Sequence, residues 1–506
     1  MVGGSGRPSA YTSFGGLGRN FLRRERGTVT FSGKLSGVDP TDLAGLREVL
    51  GKAWPQARQT SIGLSRVEIG RGALDLLPAV VSEFARGERI VLVTDRTPMR
   101  RNGMDLKGQV ARQLGARFAL KRAVLGEQGT ELHVDEEALA EAELAVAGAG
   151  CVVVVGSGTI TDICKLASAR TGGTPLVVVQ TAASVNAFAI NMSVLLKSGV
   201  KRTNISKWPD ALLIDVPTIT GAPPVMTLAG FGDLLATWTS PADWYLAALV
   251  GMDDSYHSAP LTMVFEQARE VTDAAAAVRR REPQAVEKLA RCLALGGMAA
   301  GVVGKTAPLS GTEHLVSHLL DMHAGKHHLP FNFHGAQVGI AAVPVAAAWE
   351  ELLSSLNPAE IDVDSCFPEP EAMEPVVREA FGDLDPSGAI ADECWGDYAL
   401  KLERWRECRP QFEEFLANWT EHRAELREMV LPPERLGKAL NESGAPARFS
   451  ELDPPVPEER AFWALRNCHL MRNRFTLSDL LFFLGWWDDE FVQRLFERAR
   501  SAGGGL

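Results

Sequence analysis

The sequence predicts an open, parallel α/β sheet in the first half of the chain and an all-α second half. Three observations carry the prediction. Apolar runs without polar alternation occur at 89–95, 151–156, 175–180 and 211–215, as expected of strands covered on both faces. Helical stretches at 105–120, 136–147 and 160–170 separate them. After Gly221-Ala-Pro-Pro224 the strand signal stops, and Ala, Leu, Glu and Arg recur with helical spacing.

Taken in order, residues 1–60 read as a partly flexible leader rich in Gly, Ser and Arg, with a short helix near 43–50. Residues 61–222 make the sheet domain and residues 223–506 the helical domain, with the Pro/Gly cluster as the boundary. The apolar run 339–349 is too short to span a membrane and reads as a buried helix. The segment 355–375 is acidic and carries Pro358, Pro368, Pro370 and Pro375, which predicts a surface excursion. The C-terminal stretch reads as Arg/Glu-rich helices with Trp486 and Trp487 in the core.

Composition narrows the function. Lys and Arg total 52 against 63 Asp and Glu, a formal net charge of −11. A nucleic-acid partner would require a basic face to replace counterions, so none is expected. The seven cysteines form no CxxC pair, and several sit in apolar runs. That fits reduced thiols in a cytoplasmic protein. No apolar segment follows the N-terminal arginines, so no signal peptide is expected, and no stretch of about 18 uninterrupted apolar residues occurs, so no membrane partner is expected.

A phosphate loop is the first candidate site. Gly156, Ser157, Gly158, Thr159, Ile160, Thr161 and Asp162 directly follow the strongest strand and open a helix. Glycines let the backbone approach an anion, and a helix N-terminus offers unpaired N–H groups. Thr161 and Asp162 are the expected caps. A second element, Thr181, Ala182, Ala183 and Ser184, also follows a strand end, where ligands of parallel sheets bind. Asp95 closes the first apolar strand, where a carboxylate can accept from a ribose hydroxyl. Gly304-Lys305-Thr306 imitates the end of a Walker A motif, but the required earlier glycine is Ala299 and the context is helical, so it is set aside.

The second candidate is a histidine cluster. His314, His318, His323, His327, His328 and His334 fall within one short stretch of a chain with 10 histidines. His314 and His318 are four apart in an apolar helical context, so both imidazoles share one face. His334 opens another apolar run beside Gly335. Asp233, expected to begin a helix among apolar residues, is the available carboxylate, and a buried charge requires a partner. Such donors suit Zn, Fe, Ni or Co. His323, His327 and His328 lie in a Gly/Lys-containing stretch and read as a solvated loop.

Read in order, these pieces resemble a known family. They are Thr94-Asp95, Gly156 to Asp162 with Lys165, Thr181 to Ser184, Gly232-Asp233 with Asp243-Trp244, Ser310-Gly-Thr-Glu-His314 with His318, and His334-Gly335. The set resembles the glycerol-1-phosphate dehydrogenase family, within the iron-containing alcohol dehydrogenase and dehydroquinate synthase superfamily. The segment 467–477 also resembles the end of bacterial members. The resemblance implies a Rossmann-like NAD(P) domain and a C-terminal metal domain, with the active site between them. It implies that Asp233, His314 and His334 hold one divalent metal (Zn, Fe or Ni), with Asp233 and His318 as catalytic residues. It implies that Asn186, Asp233 and His318 face the substrate. It also implies that the glycine loop and Thr181 to Ser184 hold the cofactor, and that Asp95 favours NAD over NADP. A homodimer or larger homo-oligomer is expected.

Three positions depart from the family pattern. Asn186 stands where Asp is usual, Thr237 where Lys is usual, and Ala307 where Arg is usual. Lys and Arg are the residues a phosphate pocket uses. Lys201 and Arg202 are the candidate substitutes. The expected substrate is therefore a small polyol, a polyol phosphate, or the corresponding ketone or aldehyde. Two alternatives belong to other classes. One is a cyclase resembling dehydroquinate synthase, which normally carries Glu as its first metal ligand. The other is an inactive metal-binding relative.

Overall fold

The computed structural model describes residues 38–54, 62–127, 129–197 and 200–506. Ten strands occur among them. They are β1 Arg66–Gly70, β2 Arg89–Thr94, β3 Arg100–Arg101, β4 Met104–Asp105, β5 Ala119–Val124, β6 Cys151–Gly156, β7 Leu176–Gln180, β8 Met192–Lys197, β9 Val200–Ile205 and β10 Ala211–Asp215. Six of them form one all-parallel sheet in the order β1-β10-β7-β6-β2-β5. β3–β4 and β8–β9 are separate antiparallel ribbons.

The four apolar runs are the inner strands β2, β6, β7 and β10. The sheet edges β1 and β5 lie outside those runs. Arg66 and Glu68 punctuate β1, and β5 is largely exposed with Lys121 and Arg122 outward, so neither carries the continuous apolar signature. The helix expected over 105–120 ends at Gly115, and the rest of that stretch enters β5.

Alternate residues of the inner strands sort to two faces. Val91, Val93, Val152, Val154, Val178, Leu212 and Ile214 pack with α4 Glu136–Val146 and α5 Gly158–Arg170. Ile90, Leu92, Cys151, Val153, Val155, Val177 and Leu213 pack with α2 Leu77–Phe84 and α3 Leu106–Gly115. Each buried aliphatic side chain contributes roughly 1.5–3 kcal/mol, which is why a strand apolar on both faces is stable only in this sandwich. The register sets Gly156 opposite Gln180 and Thr94 opposite Val155, so the carboxyl ends of β2, β6 and β7 form one edge.

α1 Leu43–Ala53 is the helix expected near 43–50; the remainder of the leader, up to 37 and over 55–61, lies outside the described residues. After α6 Val216–Gly221 the described chain is helical, beginning with α7 Pro224–Leu235 and α8 Ser240–Leu249. The short α9 Ala259–Thr262, α10 Phe265–Asp273 and α11 Ala275–Arg279 lead to the long α12 Pro283–Val303, α13 Thr312–Lys326 and α14 His334–Ser355. α14 contains the apolar run 339–349. It is long and apolar enough to cross a membrane, yet 78% of its apolar window is buried inside the protein.

The acidic segment 355–375 is only partly the expected excursion. It makes two short turns, the first without a buried residue and the second burying Cys366, and then enters the helix Pro370–Gly382, which buries Met373, Val377 and Phe381. In the C-terminal core Trp405 stacks on Phe483 with ring centroids 5.0 Å apart. Trp487 is buried there, while Trp486 is partly buried at its rim.

Candidate metal and nucleotide site

The site begins with a helix crossing. α7 and α14 touch main chain to main chain. A Cβ added to Gly232 would lie 2.1 Å from the Gly335 carbonyl oxygen, and one on Gly335 would lie 2.0 Å from the Ala229 carbonyl oxygen. Only glycine fits there. The crossing places Asp233, near the end of α7, beside His334, the first residue of α14. Asp233 therefore does not begin a helix as the sequence predicts. The helix starts earlier, at Pro224, because proline is accommodated in a first helical turn.

α13 supplies the third group. Donor atoms of Asp233, His314 and His334 all lie within 4.8 Å of one another. His314 Nε2 stands 3.6 Å from Asp233 Oδ1, and Asp233 Oδ2 accepts the Asn186 backbone N–H at 3.0 Å. Behind each imidazole a partner fixes the ring. Glu313 Oε1 lies 2.8 Å from His314 Nδ1. Ser317 donates to Gln337 Oε1 at 2.6 Å, so its oxygen accepts from His334 Nδ1 at 2.8 Å. Both rings thus engage a partner through Nδ1, and, against the effect of burial, the Asp233 and Glu313 carboxylates on either side raise the His314 pKa; a bound cation would take the place of the Nε2 proton. Three lone-pair donors facing one point fit a divalent cation.

The Glu313 carboxylate is itself fully buried. It accepts from Thr239 Oγ1 at 2.8 Å, Ser240 Oγ at 2.5 Å and the Gly311 N–H at 2.8 Å. Burial alone would raise its pKa, but His314 and these donors hold it low, at about 2. Nearby Asp243 goes the other way, pushed up to about 7 by burial and by the Glu313 charge. Asp243 accepts from the Thr312 N–H and hydroxyl at 2.7 and 2.8 Å, which clamps the start of α13.

A cavity of 310 Å³ connects this cluster to the sheet edge. Asp233, His314, His318 and His334 line one part of it; Ser157, Gly158 and Thr159 line another, with Ser184 and Asn186 between. His318 Nδ1 is buried without a hydrogen-bond partner. Burial, then the Arg472 and Lys201 charges, hold this imidazole well below its usual pKa, so it is neutral near pH 7.

Of the other expected nucleotide residues Asp162 lines the cavity, whereas Asp95, Gly156, Ile160, Thr161 and Thr181 to Ala183 do not. Gly156 ends β6, and Ile160 and Thr161 are buried in α5. Thr161 and Asp162 are not caps. Ser157 is the N-cap residue, and Asp162 lies inside the helix, 2.8 Å from the Lys165 ammonium and accepting the Val194 N–H at 3.0 Å. No side chain caps the first turn of this helix, and Ser157, Gly158 and Thr159 at its start line the cavity. Lys165 donates to the carbonyls of Ala187 at 2.9 Å and Met192 at 2.5 Å, anchoring the loop that follows Asn186. Thr181, Ala182 and Ala183 are buried after β7. Asp95 lies at the carboxyl end of β2, where Lys107 Nζ holds its Oδ1 at 2.6 Å.

Several expectations land elsewhere. His323 belongs to α13 rather than a loop, with its ring 4.4 Å from that of His327; both stand apart from the cluster. Gly304 closes α12 with φ +74°, and Lys305 pairs with Asp253 at 3.0 Å, so the Walker-like triplet is a helix terminus. Arg202 pairs with Glu393 and Asp397. An arginine from elsewhere in the chain binds either side of Ala307: Arg474 donates to Ser310 and Thr306. Sequence reading missed the supporting roles of Glu313, Ser317 and Gln337. The available signal was a glutamate immediately before the histidine.

A parallel sheet with an uncapped helix terminus at its carboxyl edge, and a largely buried two-histidine, one-carboxylate set across the cavity, is the architecture of a metal-dependent, nucleotide-linked dehydrogenase. Residues 68–223 match the family model for iron-containing alcohol dehydrogenases. A glycerol-1-phosphate dehydrogenase [NAD(P)+] of Halalkalibacterium halodurans is 30% identical over 300 residues, covering 57% of this chain and 71% of that protein. The protein of the same name from Bacillus subtilis is 29% identical over 294 residues, covering 58% and 73%. The maleylacetate reductase structure from Agrobacterium tumefaciens has the same fold, with a TM-score of 0.51 at 18% identity, covering 86% of this chain and 97% of that one. The chain belongs to the glycerol-1-phosphate dehydrogenase family, and it is an NAD(P)-linked, metal-dependent oxidoreductase.

Proposed function

We propose that this chain interconverts a small polyol phosphate and its ketone, with Asp233, His314 and His334 as the ligands of one divalent metal, Zn, Fe or Ni. The observation that carries the reading is the convergence of these three donors, each backed by its own hydrogen-bond partner, on a cavity that runs to the glycine loop. When bound, the metal supplies Lewis acidity at a substrate oxygen and the nicotinamide carries the hydride.

The protein's own groups do the rest. Glu313 and Ser317 keep the two imidazoles in the ligating tautomer. The Asn186 N–H fixes the Asp233 carboxylate, and the Asn186 side chain faces the substrate space. His318, neutral and with a free Nδ1, takes the proton released as the hydroxyl is oxidised and returns it in the reverse direction. The N–H groups of Ser157, Gly158 and Thr159 cradle the pyrophosphate, and Thr181 to Ser184 flank the nicotinamide ribose. Asp95 accepts from the adenosine ribose and favours NAD. The active form is a cytoplasmic homo-oligomer.

The test is oxidation of NADH by dihydroxyacetone phosphate, with the enzyme reconstituted in turn with Zn, Fe and Ni, alongside fluorescence titration of NADH. Turnover that a chelator abolishes is expected. Absence of NADH binding at micromolar protein would overturn the reading.

A further inference from the structure

One ion pair in the cavity is incomplete. Asp321 lies on α13, three residues beyond His318, and therefore shares its helix face. Asp321 is 3% exposed and lines the same cavity. Its Oδ2 holds Lys201 Nζ at 2.6 Å, while its Oδ1 is buried with no hydrogen-bond partner among the described residues. Lys201 comes from β9 and also lines the cavity. Arg472 donates to the Lys201 main-chain carbonyl from behind and so steadies that strand.

A purely structural ion pair in a buried wall would satisfy both carboxylate oxygens, because an unmet buried acceptor is costly. Here one acceptor of Asp321 is unmet, and the Lys201 ammonium, with three N–H groups, gives one to this carboxylate. The wall therefore presents an acceptor and a donor side by side. A hydroxyl is the group that needs both at once, since it donates one hydrogen and accepts through its lone pairs. An anionic group at this spot would face the Asp321 carboxylate and be repelled.

We propose that Asp321 and Lys201 form a subsite that reads a second, non-reacting hydroxyl of the substrate. The substrate O–H donates to Asp321 Oδ1, and a free N–H of Lys201 Nζ donates to the oxygen of that substrate hydroxyl. The subsite selects ligands with a free hydroxyl beyond the oxygen that reacts, and it places any phosphate elsewhere in the cavity. The inference rests on the reading of this cavity as the substrate site.

Two probes differ by only that hydroxyl: dihydroxyacetone phosphate and hydroxyacetone phosphate. Their affinities are measured by calorimetry on the metal-loaded full chain, and their turnover is followed with NADH. Wild type is expected to prefer dihydroxyacetone phosphate by roughly 10- to 100-fold, the range for a hydrogen bond to a charged group. Asp321→Ala is expected to bring the two within about 3-fold, with hydroxyacetone phosphate affinity little changed. Asp321→Asn, which keeps an acceptor oxygen, retains part of the preference, and Lys201→Met, which keeps Asp321, reduces it; these two also serve if the alanine variant does not fold. A wild type without preference overturns the subsite. So does an Asp321→Ala enzyme that keeps the preference, or one that weakens both probes equally. Binding of both probes without turnover would instead defeat the dehydrogenase reading, and the affinity ratios would still decide the subsite. Binding of neither defeats both.

Discussion

Glu313 Oε1 and His314 Nδ1, neighbours in sequence, lie 2.8 Å apart, and the ionised carboxylate can only accept. Nδ1 therefore carries a proton for Glu313, and Nε2, 3.6 Å from Asp233 Oδ1, is the nitrogen available for a ligand's role. Glu313→Gln removes the charge and leaves the shape. Metal affinity is expected to fall by roughly 10- to 100-fold, read by competition with a chelator of known strength. An unchanged dissociation constant would show that Glu313 serves only the start of α13.

The three proposed ligands separate from the other histidines by variant. His334→Ala is expected to lose bound metal and turnover together, whereas His327→Ala, on the exposed turn after α13, changes neither. Elemental analysis of the purified proteins checks this. Equal metal content in His334→Ala and wild type would refute the ligand assignment.

Gly335→Ala puts a methyl group 2.0 Å from the Ala229 carbonyl oxygen. Backbone cannot yield as a flexible side chain can, so the cost is expected at about 3 kcal/mol or more in denaturant unfolding. Reduced metal retention should accompany it, because the displaced helices carry Asp233 and His334. Wild-type stability in this variant would mean that the crossing is looser than described.

At the cofactor end, Lys107 Nζ donates to the Asp95 carboxylate, to the Asp95 carbonyl and to Thr97, fixing the carboxylate in place. Asp95→Gly removes the proposed acceptor for a ribose hydroxyl and the charge that would oppose a 2′-phosphate. The ratio of NADPH to NADH affinity is expected to rise by roughly tenfold or more. An unchanged ratio, measured by fluorescence titration, would place Asp95 outside the adenosine site.

The inner strands were legible because Val152 to Val155 and Val177 to Val179 are apolar on both faces, and only a covered parallel sheet tolerates that. β5 was not, because an edge strand meets water and its Lys121 and Arg122 break the pattern. Histidine type and spacing exposed His314 and His334, since imidazoles are rare in apolar helices. Their supports were harder to see. Glu313 in a first helical turn looks like an ordinary dipole partner. The pairing of Lys201 with Asp321 joins segments far apart in sequence, which no local pattern encodes.

The bare-backbone contact between α7 and α14 has a mechanical consequence. With no side-chain padding to compress, the two helices move as a single block, and Asp233 and His334 ride on it at fixed spacing.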